Sequence, residues 1–407
     1  MSRRAFSSRR PSANRGVWAV PLLLAVFTGL ALPRCVPPGL VEARTADPRG
    51  NHGSALSVGP YLVRTAPGEM AVVFKAATAQ PPVVEWWLPE RADDRRVPQG
   101  ALNRVIAEEH VDQWVAILKQ LPLGRLIAYR VRSSVGAAGP FTFKAGVHRG
   151  TRFRFAAFGD TRTGHSVHRA VIDAVAKERV DFLLHTGDMV ERGGLESEWD
   201  LFFQIERPLL VGTPIFPAIG NHDLSPRDIY GEVFLSDVWA DSLGYYYQDW
   251  GDLRLLVVDA GIECRQGCTQ SYFARRALAE GAARGMLLAI SVHYPPYSSG
   301  AHGSYLSLRR ALDDLIRRYG VELVLAGHDH NYERTKPIHG TYYVVTAAAG
   351  APVRPVHKQP FSAVVRTEAH YTLVDVEPTR MTLRAVNLQG DTFDEVVILP
   401  VPPRGAP

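Results

Sequence analysis

Cysteine is scarce: Cys35, Cys264 and Cys268 are the three in a chain of 407 residues. That excludes a disulfide-stapled scaffold and leaves no second cysteine pair to complete a structural zinc site. Cys264 and Cys268 could close only a short disulfide loop across Arg265, Gln266 and Gly267, which an oxidising compartment would favour. An excess of one charge is also missing from most of the chain. The formal net charge of +5 resides in residues 1–43, where six arginines face the single acid Glu42. The remainder carries 40 basic and 40 acidic residues, so no broad basic field speaks for a nucleic-acid partner. Long apolar runs are lacking apart from Val17–Leu32, and there are no internal repeats.

That one apolar run follows a basic segment and precedes Val41-Glu42-Ala43, the arrangement of an export signal over residues 1–43. Ser2-Arg3-Arg4-Ala5-Phe6 resembles a twin-arginine signal. The expected destination is periplasmic or extracellular, with no stable membrane partner once the signal is cleaved. An uncleaved anchor is the alternative, although the run is slightly short for a span. Residues 44–57, with Pro48, Gly50 and Gly53, read as a linker.

Between residues 58 and 147 the chain offers short alternating segments separated by turn residues: Ala71–Phe74, Val83–Trp87, Trp114–Leu118, Ala128–Val131 and Phe141–Phe143. They predict a small antiparallel β-sandwich. Adjacent Trp86 and Trp87 must face opposite ways, one into its core and one towards an interface. Over residues 151–400, strands alternate with helices. Val167, Ala170, Val171, Ala174 and Val175 form the stripe of an amphipathic helix capped by Ser166, and Leu308, Leu312, Leu315 and Ile316 mark another that Gly320 ends. The tail is strand-rich (Tyr371–Val376, Met381–Ala385, Glu395–Leu399). The expected fold is an all-β sandwich followed by an α/β domain of two mixed β-sheets flanked by helices, an αββα sandwich.

Five polar motifs each follow a strand-like run: Gly159-Asp160, Gly187-Asp188, Gly220-Asn221-His222-Asp223, His293, and Gly327-His328-Asp329-His330. Open α/β sheets gather functional groups at the carboxyl ends of their strands, so these residues should meet in one crevice. Carboxylate, amide and imidazole donors suit hard-to-borderline metal ions, and a carboxylate such as Asp188 can bridge two of them. Two ions can activate water and neutralise a phosphate ester during in-line attack, so a two-metal hydrolase is the expected function.

The ordered set resembles the calcineurin-like metallophosphoesterase superfamily and, within it, the purple acid phosphatases. The string Gly327-His328-Asp329-His330-Asn331-Tyr332-Glu333-Arg334 is similar to their histidine motif. So are Tyr245-Tyr246-Tyr247 with Trp250–Arg254, and Gly340–Thr346. Pro60-Tyr61-Leu62 and Leu121–Val131 look like their fibronectin-like N-terminal domain. The resemblance implies two metal ions (iron, zinc or manganese), the first on Asp160, Asp188 and His330, the second on Asp188, Asn221, His293 and His328. It implies a catalytic role for His222 beside the phosphate, and a substrate-facing place for His302. Two departures stand out. Glu191 occupies the place of the tyrosine that purple acid phosphatases carry three residues after the bridging aspartate, and Arg162 occupies the place where other members of the superfamily put a histidine. The first ion therefore lacks a ligand, which Glu191, His165, His168 or water could supply, and Glu191 could instead pair with His222. His165 and His168 read more simply as solvent-facing residues on a helix's first turn. Arg162 and Arg192 are candidate phosphate contacts.

The expected substrate is a small phosphate monoester. A phosphodiesterase acting on nucleotide or glycerol phosphodiesters is the alternative, and a catalytically weak binding protein is the alternative from a different class.

Overall fold

The computed structural model describes residues 56–403, apart from 79, 99–101, 105–111, 135, 236–243, 260 and 262–267. The expected export signal, most of the linker, and Cys264 with its possible disulfide lie outside the described residues. Among the described residues no helix is long and apolar enough to cross a membrane.

The leading strands are β1 (Val58–Ala66), β2 (Glu69–Ala76), β3 (Val83–Trp87), β4 (Leu102–Arg104), β5 (Asp112–Leu118), β6 (Ile127–Ser133) and β7 (Gly136–Phe143). They form two antiparallel sheets, ordered β1-β2-β5-β4 and β3-β6-β7. Leu62, Val72, Phe74, Trp86, Trp114, Tyr129 and Phe143 from both sheets share one buried cluster. Trp86 therefore lies in the core as expected. Trp87 is buried beneath the Arg95 guanidinium, 5.0 Å from the ring centroid.

Strand β1 was not read from the sequence because it is buried on both faces and does not alternate. Leu62 points into the sandwich, while Tyr61 and Val63 join a different cluster with Phe203, Val233 and Phe234. Tyr61 stacks on Phe203 with centroids 3.9 Å apart, and its hydroxyl donates to the Val233 carbonyl at 2.8 Å.

The rest of the chain runs β8 (Phe153–Phe158), α1 (His165–Val175), β9 (Phe182–His185), α2 (Glu196–Leu210), β10 (Ile215–Pro217), α3 (Ile229–Phe234), β11 (Tyr246–Trp250), β12 (Leu253–Val258), α4 (Thr269–Ala283), β13 (Leu287–Val292), α5 (Leu306–Tyr319), β14 (Leu323–Ala326), β15 (Tyr332–Thr335), β16 (Tyr342–Thr346), β17 (Ser362–Arg366), β18 (His370–Glu377), β19 (Arg380–Asn387) and β20 (Thr392–Ile398). Two mixed sheets result, ordered β10-β9-β8-β18-β19-β20 and β11-β12-β13-β14-β16-β15-β17. In the first, β8, β9 and β10 are parallel; in the second, β12, β13, β14 and β16 are.

The inner faces meet through Phe155, Phe182, Phe216, Trp250, Leu255, Leu325 and Leu383. Helices α1 and α2 cover the outer face of the first sheet, and α4 and α5 that of the second. The order of layers is helix, sheet, sheet, helix. Helix α5 buries the four residues its stripe foretold and ends on Gly320 at φ 72°. Helix α1 starts one residue before Ser166, with no side-chain cap.

His370 illustrates the chemistry of this core. It is fully buried, with Nε2 3.2 Å from Thr346 Oγ1 and Nδ1 3.0 Å from the Glu368 carbonyl. Burial pushes its imidazole down to about 4. The folded value lies below the unfolded one, so the unfolded chain binds the extra proton between the two, and stability falls as pH drops from about 6.5 to about 4. The expected loss from this residue is about 3 kcal/mol. Denaturant unfolding at several pH values should show a shallower slope for His370→Gln than for the parent chain. A proton-resonance titration placing His370 near 6.5 would refute the assignment.

Candidate metal centre

Each expected donor follows a strand end. Asp160 comes after β8, Asp188 after β9, Asn221 after β10, His293 after β13 and His328 after β14. Asp160, Asp188 and His328 adopt φ of 57°, 56° and 72°, a left-handed region that is costly for residues with a side chain. The adjoining glycines let these turns close. A Cβ on Gly220 would lie 2.2 Å from Asp188 Oδ1, and Gly187 has φ 100° with His293 Nδ1 2.6 Å from where its Cβ would be. Strain concentrated at these residues marks a site whose geometry matters more than local stability.

The donors converge. One ligand atom from each of Asp188, His293 and His328 lies within 4.8 Å of the others. His293 Nδ1 donates to the Thr186 carbonyl at 2.9 Å, which leaves the Nε2 lone pair facing Asp188 Oδ1 at 3.3 Å and Asn221 Oδ1 at 3.2 Å. Lone pairs converging this way require a cation. A proton on His293 can meet the requirement: burial opposes it, yet Asp188 and Asp160 raise the group to about 9. A metal ion meets it by displacing that proton. Although burial pushes the Asp188 carboxyl up, His293 and the His222 backbone N–H hold it well below the usual carboxylate range. His328 is pushed down to about 3 by burial and then by His293 and His302, so its ring is neutral and has a lone pair to give. The donors assigned to the second ion therefore fit a metal.

The first ion's donors are arranged differently. His330 Nδ1 donates to the Pro352 carbonyl at 2.8 Å, which leaves Nε2 3.5 Å from Asp160 Oδ1. The Arg162 guanidinium is already there. Its Nε lies 3.3 Å from Asp188 Oδ2, its Nη2 3.4 Å from His330 Nε2, and its Nη1 donates to Glu191 Oε2. These donors do not fit an ion as the second set does. Arg162 is therefore held by protein groups, and its partner Glu191 also places Oε2 3.7 Å from His222 Nδ1.

Of the other proposed ligands, His165 is exposed, whereas His168 is buried, contrary to expectation, with Nε2 2.7 Å from Glu206 Oε1. Arg192 turns to Glu198, Nε to Oε1 at 2.6 Å. His222 donates its backbone N–H to Asp188 Oδ1 at 3.0 Å and its Nδ1–H to the Glu191 carbonyl at 2.9 Å, and its side chain is 27% exposed at the open side. The His302 ring lies tilted by 32° against His328 with centroids 4.3 Å apart and meets Arg354 at Nε2.

Sequence reasoning assigned no role to Asp223, Asp329 or Arg354. Asp223 accepts the N–H groups of Asp188, Met189, Val190 and Gly220 at 2.9, 2.9, 3.3 and 2.9 Å, tying two donor loops together. Burial and the charge of Asp188 push its carboxyl up to about 7 against those four donors. Asp329 accepts the His302 N–H at 2.8 Å and the Ser298 hydroxyl, which fixes the loop carrying His302. The available signal was that Asp223 ends the Gly-Asn-His-Asp pattern and Asp329 is third in Gly-His-Asp-His; Arg354 lies in neither.

The family model for calcineurin-like phosphoesterase matches residues 153–332, a span that contains every donor above. Residues 153–332 are thus a calcineurin-like phosphoesterase region. Within the superfamily it is purple acid phosphatase-like. It is 29% identical over 227 residues to "Probable inactive purple acid phosphatase 24" of Arabidopsis thaliana, covering 46% of this chain and 36% of that one. It is 26% identical over 345 residues to human "Acid phosphatase type 7", covering 71% of this chain and 76% of that one. A solved purple acid phosphatase from yellow lupin seeds shares the fold, with a TM-score of 0.71 at 21% identity over 84% of this chain and 74% of that one. The chain thus spans about a third of the Arabidopsis relative and most of the human one.

Proposed function

We propose that this chain is an exported, metal-dependent phosphoesterase that hydrolyses small phosphate monoesters. The observation that carries the reading is the meeting of Asp188, Asn221, His293 and His328 around converging lone pairs, with His222 on the open side. A metal ion held there, iron, zinc or manganese, supplies Lewis acidity and a water of lowered pKa. The chain's own residues do the rest. The Glu191 carbonyl fixes the Nδ1–H tautomer of His222, so Nε2 is the atom that stabilises the phosphate or exchanges a proton with the leaving oxygen. His302 and Arg354 form a basic rim over His328 that fits a phosphate anion. The leading sandwich is read as the fibronectin-like domain over 58–147 and the remainder to residue 400 as the catalytic domain, with export directed by residues 1–43.

Steady-state turnover of p-nitrophenyl phosphate and bis-p-nitrophenyl phosphate with added Mn, Zn or Fe tests the reading. Metal-dependent hydrolysis favouring the monoester is expected. Preference for the diester would move the chain to the diesterase alternative, and no turnover with any metal would leave it as a binding protein.

A further inference from the structure

The position of the first ion contains a protein cation. We propose that Arg162 stands in for that ion, so that the chain works with a single tightly held metal on Asp188, Asn221, His293 and His328. The proposal rests on the phosphoesterase reading above and changes its stoichiometry.

Three observations carry it. The guanidinium lies against two of the three donors assigned to the first ion: Nε is within ion-pair distance of Asp188 Oδ2 at 3.3 Å without a hydrogen bond, and Nη2 is 3.4 Å from His330 Nε2. His330 is prepared for this contact, because its Nδ1–H is committed to Pro352 and only the Nε2 lone pair is left to accept. A planar fork with fixed donors suits such an arrangement, and the side chain is only 10% exposed.

The second observation is that both residues departing from the family pattern at this position are partners. Arg162 stands where other members of the superfamily put a histidine, Glu191 where purple acid phosphatases put a tyrosine, and the two form an ion pair with each other. Two unrelated substitutions that cost the first ion a ligand have no reason to leave complementary charges in contact. The exchange has the form of one cation being replaced by another together with its counter-charge.

Charge gives the third. Asp160, Asp188 and Glu191 supply three carboxylates around the centre, and the histidines that face them are neutral donors when a metal is bound. One guanidinium and one divalent ion balance those charges. A second divalent ion would sit against the guanidinium in a buried pocket, where like charges repel strongly. Asp160 is the donor the guanidinium does not touch: its Oδ2 accepts the His328 N–H at 3.0 Å, and its buried Oδ1 lies 3.5 Å from His330 Nε2 with no hydrogen bond among the described residues.

The chemical consequence is a division of tasks. A guanidinium balances charge and can bind a phosphate oxygen, but it does not acidify water as a metal does. Water activation falls to the single ion.

The test is metal stoichiometry, read independently of turnover. The purified chain is dialysed against Zn²⁺ and, separately, Mn²⁺, and bound metal is measured by elemental analysis and by calorimetric titration. One tight equivalent is expected in the parent chain, and two in Arg162→His, which restores an imidazole at that place. Arg162→Gln, nearly the same size and without charge, guards against misfolding of the histidine variant and should also gain a second equivalent, more weakly. Asn221→Ala should lose the tight equivalent of the parent. Two equivalents of similar affinity in the parent, or no gain in either Arg162 variant, would overturn the proposal and leave the phosphoesterase reading intact. No bound metal in the parent would overturn both.

Discussion

Asp188→Asn is expected to weaken metal binding by about 10²–10⁴-fold and to reduce phosphate-ester turnover at limiting metal by a similar factor. The magnitude follows from the roughly 3–5 kcal/mol lost when one member of a buried charge pair is removed. The carboxylate is buried and serves several groups at once: Oδ1 faces His293 and accepts the His222 N–H, and Oδ2 faces Arg162. An amide keeps the shape and one acceptor oxygen but supplies no charge to a cation. The fold should survive, because the backbone of this loop is held by Asp223 rather than by the Asp188 side chain. Competition with a chromogenic chelator gives the affinity, and circular dichroism checks the fold. Metal affinity within about threefold of the parent, with the fold intact, would remove Asp188 from the centre.

The second large effect separates catalysis from ligation. His222→Ala should retain its metal while kcat falls by about 10²–10⁴-fold, the usual contribution of a positioned acid or base. Esters with good leaving groups should suffer less than alkyl phosphates, since they need less help at the leaving oxygen. His328→Ala should lose metal affinity instead, and added metal should restore part of its rate. The two residues differ in placement: His222 stands on the open side with Nδ1 anchored to a carbonyl, whereas His328 is held between Tyr294 and His302, with ring centroids at 4.6 and 4.3 Å. Equal metal loss in the two variants would show that both are ligands.

The strands that build the centre were readable because they are short apolar runs ended by Gly-Asp, Gly-Asn or Gly-His. β8 stops at Gly159-Asp160 and β13 directly before His293, where the motifs end their apolar runs. The helices were less readable. α2 carries a buried Glu206 and an internal Pro208, which interrupt its apolar stripe, and α4 buries a face made largely of Ala274, Ala277 and Gly281, too small to register as periodic hydrophobicity. At the site, the motifs announced that Asp188, His293 and His328 would gather at strand ends, but their partners came from other parts of the chain. Nothing local to His168 announces that Glu206 will meet it in the core, and nothing local to Arg162 says that it will turn inward to Glu191 and His330 rather than outward to a phosphate. The first pairing depends on α1 packing against α2, and the second on the loops after β8, β9 and β14 meeting at the ends of the two sheets.

The contact between β1, β2 and α2 has a consequence for how this protein can vary through descent. Lys75 of β2 grips Glu196 and Asp200 on the first turns of α2, and Tyr61 of β1 stacks on Phe203 further along the same helix. On its other side that helix projects Glu198, whose Oε2 accepts the N–H groups of Glu191 and Arg192 at 3.0 and 2.9 Å. The leading sheets thus brace the loop against which His222 and Arg162 are set. They are not a module that recombination can exchange for another of similar size. A lineage that replaced them would have to reinvent the underside of α2 in the same step, so the two halves of the chain are expected to have been inherited together.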